Sequence, residues 1–190
     1  YIILLLHQLD IMHYLHLDYI PFNQSLLNRI FKKKNNKLGF YLVGDVGVGK
    51  TMILNFFFEK FNESKLRLHF NEFMIKFHNF IFKNKNKEKG IDLFVEDLGR
   101  KAKLIYFDEF QVTNIVDAMI LGKLFKKIFD KKIKVIFSSN IKIKNLYKDG
   151  LQRDQFTPFI KILESNSFEK ELLIDDDYRS SNNKSLDRFL

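Results

Sequence analysis

The rhythm of hydrophobic and polar positions changes along this chain. Residues 1–20 are apolar at helical spacing and predict a helix, with Pro21 as its break. Residues 24–33 predict a short second helix ending in the basic, Asn-rich turn 32–37. From Gly39 onward the apolar runs shorten. Gly39 to Val43 (GFYLV), Leu66 to Phe70, Leu104 to Phe107 and Ile133 to Phe137 have the length and flanks of buried strands. Residues 50–62, 72–83, 91–102 and 114–130 carry helical periodicity, and 83–90 is a charged loop. Strands alternating with helices of this length predict an α/β fold, a mainly parallel sheet with helices on both faces and right-handed crossovers. No repeat or long linker divides the chain. It organises as an N-terminal helical segment (1–37), a core (38–179) and a polar tail (180–190).

The most informative residues lie between the first strand and the helix that follows it. Residues 44–51, GDVGVGKT, match G-x-x-x-x-G-K-[ST] in the strand–loop–helix context that the motif requires. Gly44, Gly47 and Gly49 are expected to adopt positive φ and let the backbone approach phosphates. The N–H groups of Gly44, Asp45, Val46, Gly47, Val48 and Gly49, with the helix N-terminus, present a positive field to an anion. Lys50 reaches the β- and γ-phosphates, and the Thr51 hydroxyl is a Mg²⁺ ligand. ATP and Mg²⁺ are the expected cofactors.

A second constellation follows from the third strand. Residues 103–110, KLIYFDEF, place Asp108 and Glu109 at its C-terminal end, the edge where open α/β sheets bind ligands. Asp108 is expected to hold Mg²⁺ through water, and Glu109 to polarise the attacking water as a general base. The strand Leu66 to Phe70 falls between the two motifs, as in P-loop ATPases with an additional strand. The fourth strand ends in Ser-Ser-Asn, which puts Asn140 beside the second motif as a sensor of the γ-phosphate; a plain strand-end turn is the competing reading. Arg153 follows in GLQRDQF. It reads either as a finger that enters a neighbouring subunit's site or as a surface arginine paired with Asp149 or Asp154. The finger reading requires a ring or another head-to-tail homo-oligomer.

Composition adds limits. The chain has 190 residues, 46% of them hydrophobic and 29% charged, with no cysteine. That excludes disulfides and thiolate metal sites and suits a reducing compartment. The formal charge of +9 is compatible with nucleic acid or an anionic membrane surface, but the wealth of Phe, Ile, Lys and Asn also fits AT-rich codons. No basic and aromatic residues interleave on one strand face, so nucleic acid is not the expected partner. No run reaches the roughly 20 apolar residues of a spanning helix. His7, His13 and His16 are spaced for metal binding, but surface helix histidines are the preferred reading. Phe73 and Met74 are candidates for substrate contact, but core packing is the preferred reading.

Several longer stretches carry a narrower signal: GFYLVGDVGVGKT (39–51), LRLHFNEFM with the following IKFH (66–78), LIYFDEFQVTNIVDAMIL (104–121), VIFSSN (135–140), LYKDGLQRDQFTPFI (146–160) and DYR (177–179). In these the chain resembles the ZapE-type cell-division ATPases of the AAA+ superfamily, which have mitochondrial relatives. The resemblance implies an ATP-hydrolysing AAA+-like core acting on a protein partner. In bacteria that partner is the FtsZ ring, in the cytoplasm; in mitochondria the work is protein quality control on the matrix side of the inner membrane, where peripheral membrane contact is compatible with the charge. It supports Asn140 as sensor and Arg153 as finger. Asp117, in the narrowest stretch, is expected to be structural and to pair with a neighbouring Lys, and Arg179 reads as a second sensor or a salt-bridge partner. The chain departs from the pattern at Asn71, where the family commonly has His, and at its end. The family continues beyond DYR, so the C-terminal lid is expected to be reduced or missing. Two other functions remain: a nucleic-acid-linked ATPase such as a helicase loader, and a nucleotide-binding scaffold without turnover.

Overall fold

A computed structural model describes residues 37–84 and 89–173. The predicted N-terminal helices with His7, His13 and His16, the motif containing Arg179 and the polar tail lie outside the described residues. The core is built from β1 (Gly39–Val43), α1 (Lys50–Glu59), β2 (Lys65–His69), α2 (Phe70–Lys83), α3 (Gly90–Lys101), β3 (Leu104–Asp108), α4 (Ile115–Asp130), β4 (Lys134–Ser139), α5 (Arg153–Asn166) and β5 (Ser167–Glu171). A single turn of 3₁₀ helix covers Ile143–Asn145.

The strands form one sheet in the order β2-β3-β4-β1-β5, and every pairing is parallel. The expected α/β sheet is therefore present, with two corrections to its layout. The strand between β1 and β3 in space is β4, whereas β2, which lies between them in sequence, takes the outer edge. A fifth strand, β5, occupies the other edge beside β1. The three central strands, β1, β3 and β4, are almost continuously apolar because both their faces are covered.

The two faces are covered unequally. Tyr41, Val43, Ile105, Phe107, Val135 and Phe137 point to the side packed by α2, α3, α4 and α5. Phe40, Leu42, Leu104, Tyr106 and Ile136 point to the other side, where α1 contributes Ile53, Leu54, Phe57 and Phe58. Cationic side chains lie over aromatic rings on that second side: Lys65 over Phe58, Arg67 over Tyr106, Lys134 over Phe61 and Lys37 over Phe168. Their aliphatic stems shield apolar surface while their charges stay near water.

Phe73 and Met74 are buried, so core packing holds and direct substrate contact does not. Phe73 meets Phe70, Phe94 and Phe107. Asp117 is structural as expected, but its partner is His78 of α2 rather than a lysine. It lies in the first turn of α4, close enough to reach across to the neighbouring helix.

Candidate functional site

The glycine-rich loop joins the end of β1 to the start of α1. Gly47 and Gly49 have φ of 84° and 91°, a left-handed conformation that glycine adopts without steric cost. Gly44 does not share it, which corrects the expectation of positive φ at all three glycines. Gly44 is needed for space instead, because a Cβ there would lie 2.6 Å from the Leu172 carbonyl oxygen. Val48 is buried and anchors the loop, whereas Val46 is 83% exposed. No side chain caps α1, so its first N–H groups are available to an anion.

Lys50 opens α1. Its ammonium donates to the main-chain oxygens of Gly44 and Asp45, at 2.7 Å each. The side chain thus folds back over the loop at the height where phosphates would lie. Burial pushes its pKa below the ordinary lysine value of 10.5, against the opposing pull of Asp45 and Asp108. Thr51 follows and is exposed at the mouth of the loop.

Asp108 ends β3 and is 6% exposed. Its Oδ2 accepts from Arg67 Nη2 at 2.5 Å, and its Oδ1 lies 3.4 Å from the Tyr106 hydroxyl. Burial, then the charge of Asp108, raises the pKa of Tyr106, so its phenol stays protonated. Glu109 is the first residue beyond β3 and has a φ of 52°. This left-handed step is unfavourable for a residue with a Cβ. It turns the Glu109 side chain outward, 3.7 Å from His69 Nδ1 at the end of β2.

Asn140 is the first residue after β4 and is exposed. The Gly44 N–H donates to the Ser139 carbonyl, which sets the start of the glycine loop beside Asn140. Asn140, Gly44, Asp45, Lys142, Asn145 and Glu171 line a cleft of about 350 Å³ at this edge. The segment after Asn140 is held from several sides. Tyr41 donates to the Ile141 carbonyl at 2.7 Å, the Ile143 N–H donates to Glu169, and Lys142 pairs with Glu171. Ser139 Oγ donates to the Phe110 carbonyl at 2.7 Å, tying the Asp108–Glu109 turn to the Asn140 turn.

Arg153 begins α5. It donates to the carbonyls of Lys144 and Leu146, at 2.8 and 2.9 Å, and so helps fix the same segment. Neither Asp149 nor Asp154 is its partner in these bonds. The structure brings together Gly44–Thr51, Asp108, Glu109 and Asn140 at the carboxyl ends of β1, β3 and β4. Sequence reasoning missed Arg67, His69, Tyr106 and Ser139. The one signal for the first two was the alternation K-L-R-L-H, which sends Lys65, Arg67 and His69 to one face of β2.

The donor set fits a nucleoside triphosphate with a divalent cation. The loop offers N–H groups and an ammonium without a carboxylate at hydrogen-bond distance, and Thr51 and Asp108 offer hard oxygen ligands. Among the described residues no cluster of three or more His, Cys, Asp or Glu could hold a metal by itself.

The chain is 41% identical over 137 residues to lactation elevated protein 1 homolog B of Danio rerio, covering 66% of this chain and 27% of that protein. It is 35% identical over 129 residues to the cell division protein ZapE of Escherichia coli K12, covering 67% of this chain and 34% of that protein. The chain thus spans about a third or less of the length of these relatives. Among solved structures the fold resembles DnaI, with a TM-score of 0.55 and 17% identity over 84% of this chain and 87% of that one. It also resembles domain III of the Thermotoga maritima replication initiation protein DnaA, with a TM-score of 0.56 and 16% identity over 87% and 69%. A profile of the AFG1-like ATPases matches residues 6–187, and the chain belongs to that family.

Proposed function

We propose that this chain is the Mg²⁺-dependent ATP-hydrolysing core of a ZapE-like protein that works as a homo-oligomer on a protein partner. The observation that carries the reading is the convergence of the glycine loop, the Asp108–Glu109 turn and Asn140 at one edge of the sheet. The loop N–H groups and Lys50 bind and orient the phosphates. Thr51 and Asp108 hold the cation, which neutralises charge on the β- and γ-phosphates when bound. Glu109, turned outward at the sheet edge, accepts a proton from the attacking water. Asn140 orients that water or the γ-phosphate. Arg153 leaves its own carbonyl partners to enter the neighbouring subunit's site. Identity to the cell division protein ZapE supports a role in cell division. The FtsZ ring as the partner and the cytoplasm as the place, with a mitochondrial setting as the alternative, follow from the family resemblance.

The formal charge of +9 favours one second reading, an ATPase that acts with nucleic acid as helicase loaders do. The two readings separate on salt-sensitive stimulation of turnover by single-stranded DNA.

The primary test is steady-state ATP hydrolysis with Mg²⁺ across a range of protein concentrations, with Glu109→Gln and Arg153→Ala beside the parent. Specific activity that rises with concentration, and is lost in both variants while nucleotide still binds, is the expected result. A parent that binds nucleotide but turns over no faster than Glu109→Gln at any concentration would leave a switch or scaffold in place of an ATPase.

A further inference from the structure

Asp108 is a buried carboxylate, and a buried carboxylate without a counter-charge is costly. The strand next to β3 supplies the counter-charge. His69 pairs in register with Asp108, and Arg67, two residues earlier on the same face, reaches the carboxylate. The Arg67 side chain remains 37% exposed and lies over the Tyr106 ring, 5.0 Å from its centre. It therefore sits between water and the carboxylate and can withdraw without disturbing the core. The other carboxylate oxygen faces the Tyr106 hydroxyl.

We propose that Arg67 and a divalent cation compete for the Asp108 carboxylate, so that Arg67 sets the Mg²⁺ concentration at which nucleotide binding becomes cation-dependent. The inference rests on the reading of this edge as a site for ATP and Mg²⁺. A guanidinium and a divalent ion on one carboxylate repel each other, and the low dielectric around Asp108 strengthens that repulsion. Arrival of the cation accordingly loosens the Arg67 pair, and the guanidinium moves toward the solvent it already touches. Arg67 is a positioning residue in this scheme. It acts on the metal ligand and takes no part in bond making.

The test uses the full chain carrying Glu109→Gln, so that nucleotide is bound without turnover. Binding of a fluorescent ATP analogue is followed while Mg²⁺ is titrated, for this chain and for the same chain with Arg67→Gln or Arg67→Lys. Removing the positive charge should lower the Mg²⁺ midpoint at least about fivefold, an effect of the size expected for one partly buried charge. Arg67→Lys, which keeps a cation but loses the fork and the ring contact, should shift it in the same direction by less. Thermal unfolding gives an independent readout: Arg67→Gln should melt lower than its parent without ligand and draw level with it at saturating Mg²⁺ and nucleotide. If Arg67→Gln does not fold, the shift in Arg67→Lys decides. Nucleotide binding with an unchanged or higher Mg²⁺ midpoint in the Arg67 variants overturns the inference alone. Absence of nucleotide binding by the Glu109→Gln chain overturns the underlying reading and the inference with it.

Discussion

His78 Nε2 lies 2.6 Å from Asp117 Oδ1, and this bond ties the middle of α2 to the first turn of α4. Asp117 is the more sheltered partner, with 17% of its side chain exposed against 41% for His78. Its carboxylate also suits the positive end of α4. Each of His78→Ala and Asp117→Ala should lower stability by about 1–2 kcal/mol, since each leaves one polar partner unmatched. In urea titrations the double variant should cost less than the sum of the two. Strict additivity would show that the contact contributes nothing.

Phe110 follows Glu109 directly and is fully buried. Its ring meets Tyr41, Phe70, Phe107, Phe125, Phe137 and Phe159, while its N–H donates to the Ser138 carbonyl at 2.7 Å. It is the anchor from which the strained Glu109 turn projects. Phe110→Ala should cost about 3–5 kcal/mol, and Phe110→Leu clearly less, because leucine fills most of the space. Guanidinium denaturation of both variants checks this. A loss below about 1 kcal/mol for the alanine would mean that the aromatic cluster repacks around the gap.

How much of this could be read beforehand follows from where the information lies. β1, β3 and β4 are central strands buried on both faces, so their apolar runs announce them. β5, SFEKE, is an edge strand with a single large apolar residue. Its acids are placed by distant partners, Glu169 by the Ile143 N–H and Glu171 by Lys142. α5 was hidden by Pro158 inside it and by the left-handed Gln152 before it. The glycine loop and the Asp108–Glu109 pair are local patterns and so were legible. Arg67 and Ser139 join the site through contacts between segments far apart in the chain, which no local window contains. Tyr106 lies two residues before Asp108 on the same strand, and only its polar use of that position was hidden by the apolar run around it.

Lys50 gives a pH dependence with opposite signs in two measurements. Its folded pKa is depressed, mainly by burial, so between that value and the ordinary 10.5 the unfolded chain holds the extra proton. Its contribution to stability without ligand therefore rises with pH through that window. Phosphate binding needs the charged ammonium, so nucleotide affinity falls through the same window. Urea midpoints and nucleotide titrations from pH 8 upward, with Lys50→Met as reference, test both slopes. The reference chain should lack the part of each slope due to Lys50, and identical slopes in both chains would remove Lys50 from the account.

Arg153 distinguishes action between subunits from action within one. In this chain its guanidinium fixes the carbonyls of Lys144 and Leu146, on the segment that follows Asn140. A finger that reaches a neighbour must give those bonds up, whereas a clamp that steadies Asn140 must keep them. Both readings predict that Arg153→Ala loses activity, so the single variant cannot separate them. Mixing can. Glu109→Gln keeps Arg153, and Arg153→Ala keeps Glu109. In a head-to-tail oligomer a random equimolar mixture contains interfaces where an intact Glu109 faces a neighbour's intact Arg153. Turnover should then recover to about a quarter of the parental rate, although neither variant alone is active. No recovery, with mixed oligomers confirmed by native mass spectrometry, would assign Arg153 to its own subunit, as the clamp on the Asn140 segment.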